Sequence, residues 1–199
     1  DVIEQLLNGG FGKGHWRFFM DANQAVFGSV QPRGMNRLKK GNPARFNLTA
    51  NCRNTREISI HTSLLSRVYS GALSNLETDG LDVEELWWST PEEQRREVSR
   101  FVGRAIQKGA APHEITVLSK SRLENSGLSA GLVGLSHRIS EDGELNCVGF
   151  SSISGFKGLE NDIVVVIDVD DLDSESARRD LYVATSRARV LLAIALNNN

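Results

Sequence analysis

Residues 155–167 read GFKGLENDIVVVI, and residues 181–189 read LYVATSRAR. The first stretch sets two glycines, a lysine and a glutamate just before an apolar run from Ile163 to Ile167. A short strand that is apolar throughout is typical of a parallel sheet covered on both faces. The second stretch carries two arginines from a helix into another apolar strand. This order predicts a site for the sugar and phosphates of a nucleotide at the edge of a parallel sheet.

Outside these stretches, helical patterns alternate with short apolar runs. The clearest helix begins at Thr90, where Pro91 suits the first turn and Glu93 can complete a capping box, and it ends at Gly109. The other predicted elements are helices at residues 2–8, 55–69 and from about 174, and strands at residues 16–20, 83–88, 115–118, 147–151, 163–169 and 190–196. The alternation predicts an α/β fold with a mainly parallel sheet.

Composition favours a soluble globular chain, because 199 residues with 40% hydrophobic and 24% charged side chains are enough for one large domain. A net charge of −2 gives no overall sign of nucleic-acid binding, although a local basic face stays open. Cys52 and Cys147 lack CxxC spacing and the histidines lack HExxH spacing, so we predict neither a metal site nor a disulfide. A reduced, cytoplasmic setting follows, and the lack of long apolar runs predicts no membrane contact.

Two segments near the amino terminus are candidates for phosphate contact. In GGFGKG, residues 9–14, the lysine Lys13 is followed by glycine rather than Ser or Thr, and a predicted strand comes next, so we interpret the segment as a turn. Asp21 follows the predicted strand 16–20, and Gln24 comes soon after it. This pair could sense a phosphate or a bound water, or it could form a turn with surface amides.

Arg53 and Arg187 are candidates for contact with phosphate oxygens. Arg53 stands just before a predicted helix, and Arg187 stands at the end of another helix that faces a sheet edge. A planar guanidinium at either place could bind phosphate, and Arg187 could act as an arginine finger in phosphoryl transfer. From the residues alone, a solvated surface charge for Arg53 and a helix-dipole contact for Arg187 stay open as alternatives.

The segment 151–160 combines hydroxyls, glycines and a carboxylate. Ser152 and Ser154 could donate to phosphates, Gly158 permits close backbone approach, and Glu160 could accept from ribose hydroxyls. A polar turn between two strands is the alternative interpretation.

Taken in order, four segments resemble the carboxyl-terminal motifs of superfamily 1 DNA helicases of the UvrD/Rep type. They are WRFFMDANQAVFG (16–28), LTANCRN (48–54), SISGFKGLENDIVV (152–165) and RRDLYVATSRA (178–188), which look like the third to sixth motifs. The resemblance implies a RecA-like three-layer domain of the P-loop NTPase superfamily, with the P-loop itself upstream of this chain. Residues 1–45 would be the tail of the first RecA-like domain with a linker, and residues 46–199 the second RecA-like domain.

The resemblance also assigns roles to residues within these segments. Three separate sets of residues would act in catalysis at the γ-phosphate, in nucleotide binding through the ribose, and in contact with single-stranded DNA. The groups are Gln24, Arg53 and Arg187 for catalysis, Gly158 and Glu160 for the nucleotide, and Phe27, Ser152 and Ser154 for DNA. Two departures stand out, because Cys52 replaces a tyrosine that often stacks on adenine in the family, and Ser154 replaces a histidine.

For the intact protein, the resemblance implies ATP with Mg²⁺ as cofactors. The implied partners are single-stranded or partly duplex DNA and the upstream first RecA-like domain. Without the upstream phosphate-binding lysine and Mg²⁺ motif, we expect this piece neither to bind ATP tightly, nor to hydrolyse it, nor to unwind DNA. The alternative is a non-catalytic nucleic-acid or protein interaction module that keeps a helicase-like fold. A nucleotide-sugar or phosphate-binding enzyme is disfavoured, because no glycine-rich strand–turn–helix is present.

Overall fold

The computed structural model describes residues 2–21, 36, 38–39, 42–48, 50–68, 73–74 and 80–198. The helices are α1 (Val2–Leu6), α2 (Gly10–Lys13), α3 (Arg56–Ser66), α4 (Pro91–Gln107) and α5 (Glu175–Thr185), with 3-10 turns at Pro112–Glu114 and Leu123–Asn125. The strands are β1 (Ala50–Asn51), β2 (Leu73–Ser74), β3 (Glu84–Trp88), β4 (Ile115–Ser119), β5 (Ile139–Ser140), β6 (Val148–Ser152), β7 (Asn161–Val169) and β8 (Ala188–Asn197).

Six strands form one sheet in the order β3-β8-β7-β4-β6-β5, and every pairing within it is parallel. The longest strands, β7 and β8, lie near the middle, where apolar runs on both faces can be covered. β1 and β2 pair separately, also in parallel. The predicted α/β fold with a mainly parallel sheet is therefore confirmed.

Helices cover both faces of this sheet, which explains why β7 is apolar throughout. On one face, Phe101 of α4 belongs to a core that includes Val165. On the other face, Ile58 of α3 and Leu181 of α5 share a core with Val164. Because adjacent residues of a strand point to opposite faces, both faces need apolar side chains, and each one buried contributes about 1.5–3 kcal/mol.

Capping interactions fix where the helices begin. The Thr90 hydroxyl accepts a hydrogen bond from the backbone amide of Glu93 at 3.2 Å, as predicted. The carboxylate of Glu93 reaches back as expected, but it accepts from the amide of Ser89 at 2.9 Å rather than from Thr90. The Ser174 hydroxyl caps α5 by accepting from the amide of Ala177 at 3.1 Å. These side chains satisfy amides that a helix start would otherwise leave unpaired.

The amino-terminal segment differs from its prediction in two ways. Residues 16–20 form no strand, and Phe19 and Met20 are exposed. An apolar run forms a strand only where a neighbouring strand pairs with its backbone, and no described strand does so here. The glycine-rich segment that we interpreted as a turn instead contains the four-residue helix α2. The helix predicted for residues 2–8 is present as α1, and Gly9 and Gly10, with φ of 87° and 60°, follow it.

Candidate functional site

Arg187 is a buried cation with one donor group unused. It lies two residues after the end of α5 and is only 2% exposed. Its Nε donates to the carbonyl of Val183 at 3.1 Å, and its Nη1 donates to the carbonyl of Leu159 at 3.3 Å. The other terminal nitrogen, Nη2, is buried and has no hydrogen-bond partner among the described residues. Such a group calls for an explanation, and an anionic ligand that completes the set would supply one.

The surroundings of Arg187 both lower and raise the pKa of its guanidinium. Burial lowers the pKa of the Arg187 guanidinium, and the positive charge of Arg53 lowers it further. Tyr182, Glu160 and Asp21 oppose these effects and raise the pKa. The guanidinium therefore lies in an environment that penalises its charge, and an added anion would relieve that penalty.

Arg53 lies in a turn that is hydrogen-bonded to the chain at the start of β8. The Asn51 side chain accepts hydrogen bonds from the backbone amides of Arg53 at 3.0 Å and Asn54 at 3.2 Å. Asn54 is buried, and its side chain donates to the carbonyls of Ser186 at 3.1 Å and Ala188 at 2.5 Å. These two carbonyls flank the buried arginine in sequence. The turn therefore places Arg53 beside the start of β8.

Glu160 meets Arg53 in this part of the molecule. The Oε2 atom of Glu160 lies 2.8 Å from Nε of Arg53, and the two side chains are 41% and 44% exposed. Arg189 contacts the same carboxylate at 3.9 Å and Asp162 at 3.4 Å. An ion pair this exposed contributes about 0–1 kcal/mol, so a ligand could replace it at small cost. Gly158 has a φ of 89°, a backbone conformation that favours glycine, at the turn leading to Glu160.

Ser152 and Ser154 lie at the edge of the sheet where its strands finish, whereas Glu160 lies at the edge where they begin. Ser152 ends β6 and pairs in register with Ser119 of β4, one residue beyond the level of Val166 on β7. Glu160, by contrast, comes just before the first residue of β7. Seven residue steps separate the two levels, which is about 23 Å at 3.3 Å per residue. Residues 153–160 therefore connect the two edges.

The two serines are close to each other. Their hydroxyl oxygens are 3.3 Å apart, and the amide of Gly155 donates to the Ser152 hydroxyl at 3.1 Å. Both side chains are partly exposed, so they can reach a ligand. The structure thus brings Arg53, Glu160 and Arg187 together at one edge, and Ser152 with Ser154 at the other.

Sequence reasoning missed a polar cluster around Asp168. The Asp168 carboxylate accepts from Nε2 of Gln94 at 2.7 Å, the Ser119 hydroxyl at 2.5 Å and the amide of Gly127 at 3.1 Å. The Gln94 oxygen accepts in return from the amide of Asp168 at 2.8 Å. Asp168 has a φ of 59°, uncommon for a residue other than glycine, at a register shift of β7. An aspartate ending an apolar run was the available signal, but its partners are distant in sequence.

Other predicted features lie outside the site or outside the described residues. Gln24 and Phe27 fall in the range 22–35, which the structure does not describe. Cys52 is exposed, Cys147 is buried, and both are free thiols. The described residues bring together no three His, Cys, Asp or Glu side chains that could hold a metal ion. Within the same ranges, every helix is too short or too polar to cross a membrane.

Comparison with known proteins bears on the same part of the chain. Residues 148–195 match the sequence profile of the UvrD-like helicase C-terminal domain. No curated protein matches the sequence. One similar solved structure is the C-terminal domain of a possible DNA helicase from Lactobacillus plantarum WCFS1, with a TM-score of 0.59 and 19% sequence identity. The alignment covers 75% of this chain and 89% of that one.

The matched segment contains Ser152, Glu160 and Arg187, the residues singled out in the fifth and sixth motif-like stretches. At 19% identity, the structural likeness shows a shared fold, here the RecA-like α/β domain. The predicted resemblance to UvrD-type helicases is confirmed by the profile match over residues 148–195. Residues 148–195 are thus similar to the UvrD-like helicase C-terminal domain, and the chain shares the fold of a similar solved structure.

Proposed function

We propose that this chain is the portion of an ATP-dependent DNA helicase that supplies γ-phosphate arginines, a ribose contact and part of the single-stranded DNA surface. In this proposal, residues 1–45 belong to the end of the first RecA-like domain and residues 46–199 form the second. The nucleotide would lie between the two domains. The carrying observation is the buried Nη2 of Arg187, which has no partner among the described residues.

The chemistry of Arg187 fits a phosphate group. Two of its nitrogens are occupied by carbonyls, which fix the plane of the guanidinium, and the third is left to donate. A fixed donor needs no reorganisation when charge develops on a phosphoryl oxygen, which is the property required of an arginine finger. The lowered pKa of Arg187 indicates that its charge lacks compensation, which an anion would provide.

Arg53 and Glu160 fit the remaining roles at this edge. Their ion pair is half-exposed, so Arg53 can exchange the Glu160 carboxylate for a phosphate oxygen at little cost. Glu160 would then be available to accept hydrogen bonds from ribose hydroxyls, with Gly158 shaping the approach. ATP with Mg²⁺ would supply the phosphoanhydride bond, and Gln24 would contribute from the third motif-like segment.

The other edge of the sheet fits contact with DNA. The paired hydroxyls of Ser152 and Ser154 can donate to backbone phosphates, and Phe27 would add base stacking. Because residues 153–160 join this edge to Glu160, a shift at the nucleotide could reach the DNA through one short segment. That arrangement supports the coupling of ATP hydrolysis to movement along a strand.

The test is Arg187→Ala in the full-length protein. With single-stranded DNA present, ATP turnover should fall about 10³-fold or more if Arg187 is a finger. Arg187→Lys should also be strongly impaired, because lysine keeps the charge but not the planar fork. Arg138→Ala is the matched control, since Arg138 is 79% exposed and pairs only weakly with Glu144 at 3.3 Å.

Three results would count against the proposal. An unchanged rate in Arg187→Ala would reduce Arg187 to a structural charge. Robust ATP hydrolysis by the purified 199-residue chain alone would show that no upstream domain is needed. DNA binding without any ATP hydrolysis by the unaltered full-length protein would favour the non-catalytic interaction module.

A further inference from the structure

Tyr182 connects α5 to the amino-terminal segment. Its ring packs against the core on the α3 and α5 face of the sheet. Its hydroxyl donates to Oδ2 of Asp21 at 3.0 Å, although 161 positions separate the two residues in sequence. Asp21 ends a stretch, residues 15–21, that forms neither helix nor strand. The hydrogen bond therefore joins an irregular segment to a helix that the core holds in place.

Apolar packing does little to hold the end of this segment. Phe19 is 85% exposed and Met20 is 55% exposed, and both come just before Asp21. A hydroxyl that donates to a carboxylate makes a charge-assisted hydrogen bond, which is stronger than one between neutral groups. The Tyr182–Asp21 bond is thus well suited to set where the segment meets α5.

The same contact lies close to Arg187 along the chain. Tyr182 accepts from the backbone amide of Ser186, and the neighbouring Val183 carbonyl accepts from Nε of Arg187. The negative charge of Asp21 raises the pKa of Arg187, against the effect of burial. Asp21 is therefore near enough to influence the guanidinium electrostatically, and it precedes Gln24 by three positions in the sequence.

We propose that Tyr182 and Asp21 are positioning residues, whose hydrogen bond holds the segment 15–21 against α5 and so keeps Arg187 in place. The proposal rests on the function proposed above, because neither residue is assigned a contact with ATP. Tyr182 acts through α5, which carries Arg187, and Asp21 acts through the segment that it ends. Loss of the bond should slow hydrolysis without weakening nucleotide binding.

The experiment is a double-mutant cycle in the full-length protein, with ATP hydrolysis measured in the presence of single-stranded DNA. Tyr182→Phe keeps the ring and removes only the hydroxyl, and Asp21→Ala removes the acceptor. Each should lower kcat about tenfold, as expected for a lost hydrogen bond to a charged group, with KM for ATP changed less than about twofold. The double variant should lose no more than either single variant, because both remove the same bond.

Two further variants separate this role from a general loss of structure. Asp21→Asn keeps an acceptor oxygen but loses the charge, so its kcat should fall less than that of Asp21→Ala. Asp173→Ala removes another exposed carboxylate near α5, which pairs with Arg67 and Arg178, and should leave kcat unchanged. Thermal unfolding of each variant shows whether the amount of folded protein explains a change in rate.

The outcomes distinguish this inference from the proposed function. Wild-type kcat in Tyr182→Phe, losses that multiply in the double variant, or an Asp21→Asn loss equal to that of Asp21→Ala would overturn the inference. Each of these leaves the proposed function standing, provided that the unaltered protein hydrolyses ATP. If the unaltered full-length protein shows no DNA-stimulated hydrolysis, the proposed function fails and the inference fails with it.

Discussion

The two edges of the sheet, where its strands begin and where they finish, differ in how fully their polar groups are hydrogen-bonded. At the amino-terminal edge, Arg187 buries a donor that has no partner among the described residues. At the carboxyl-terminal edge, the Asp168 carboxylate accepts hydrogen bonds from Gln94, Ser119 and Gly127. A buried polar group left unpaired costs about 1–3 kcal/mol, and more if it is charged. The described residues therefore leave a charged donor unpaired at the first edge, whereas they supply several donors to the carboxylate at the second.

This comparison separates a buried charge without a partner among the described residues from a carboxylate with several hydrogen bonds. Thr62 and Trp88 also bury side-chain atoms that have no partner within the described part of the chain, but those groups are neutral and carry a smaller penalty. Arg187 is the charged case, and it lies within the residues matched to the helicase profile. Asp168 lies within the same match, yet its hydrogen bonds are satisfied. The profile match alone would not have told these two residues apart.

The largest effect on stability is expected from Gln94→Leu. This change removes both hydrogen bonds between Gln94 and Asp168 and leaves the carboxylate with fewer donors in a partly buried place. We expect the free energy of unfolding, measured by urea denaturation, to fall by about 3 kcal/mol. Gln107→Leu, on the exposed end of α4, should change it by less than about 0.5 kcal/mol. Equal losses of unfolding free energy in Gln94→Leu and Gln107→Leu would remove the contrast between the two edges.

A somewhat smaller effect is expected from Gly127→Ala. A Cβ at this position would overlap Nε2 of Gln94 and approach the Asp168 carboxylate to 3.0 Å. The side chain of Gln94 is 1% exposed and cannot easily move away. We expect a loss of about 1–3 kcal/mol in urea denaturation, as for overpacking of a core. Gly12→Ala is the control, because its Cβ would meet nothing within 4 Å.

A still smaller change in stability is expected from Arg187→Met, which tests the other edge. The substitution loses two hydrogen bonds to carbonyls, but it also removes a buried charge that lacks full compensation. Replacing a poorly compensated buried charge by an apolar side chain is often neutral, so we expect a change within about 1 kcal/mol. Urea denaturation of this variant beside Gln94→Leu makes the comparison direct. A loss as large as that of Gln94→Leu would make Arg187 a structural residue.

The sequence was a good guide where local patterns determine structure. The run from Ile163 to Ile167, the cap at Thr90 and the order of the motif-like segments led to the parallel sheet, to α4 and to the helicase resemblance. Those features depend on side-chain periodicity and on chain direction, which a sequence displays directly. The same reasoning also named Arg53, Glu160 and Arg187, which the structure brings to one edge.

The sequence was a poor guide where contacts between residues far apart in the chain determine the structure. The run at 16–20 has the composition of a buried strand, but no described strand pairs with it. The partners of Asp168 come from three separate segments, so no local pattern marks the cluster. The separation of Ser154 from Glu160 across the sheet follows from strand register, which the spacing of residues within one segment does not reveal.

The smallest effect is expected from Asp171→Asn, and it tests whether satisfied hydrogen bonds matter without burial. The Ser174 side chain, then the backbone amides of Asp173 and Ser174, lower the pKa of Asp171 from 3.8 to about 2. Because the folded pKa lies below the unfolded one, the ionised carboxylate stabilises the fold above about pH 4. That contribution is lost as the pH falls through about 2.

The unfolding midpoint of Asp171→Asn should therefore lie slightly below that of the unaltered chain at pH 7. The difference should shrink as the pH falls through about 2 and disappear below it, where both side chains are neutral. Urea denaturation at a series of pH values measures this, with Asp142→Asn, another exposed aspartate, as the control. A difference that persists unchanged to pH 2 would show that ionisation of Asp171 is irrelevant. Burial together with hydrogen bonding, as at Asp168, would then be needed before a carboxylate at this edge contributes to stability.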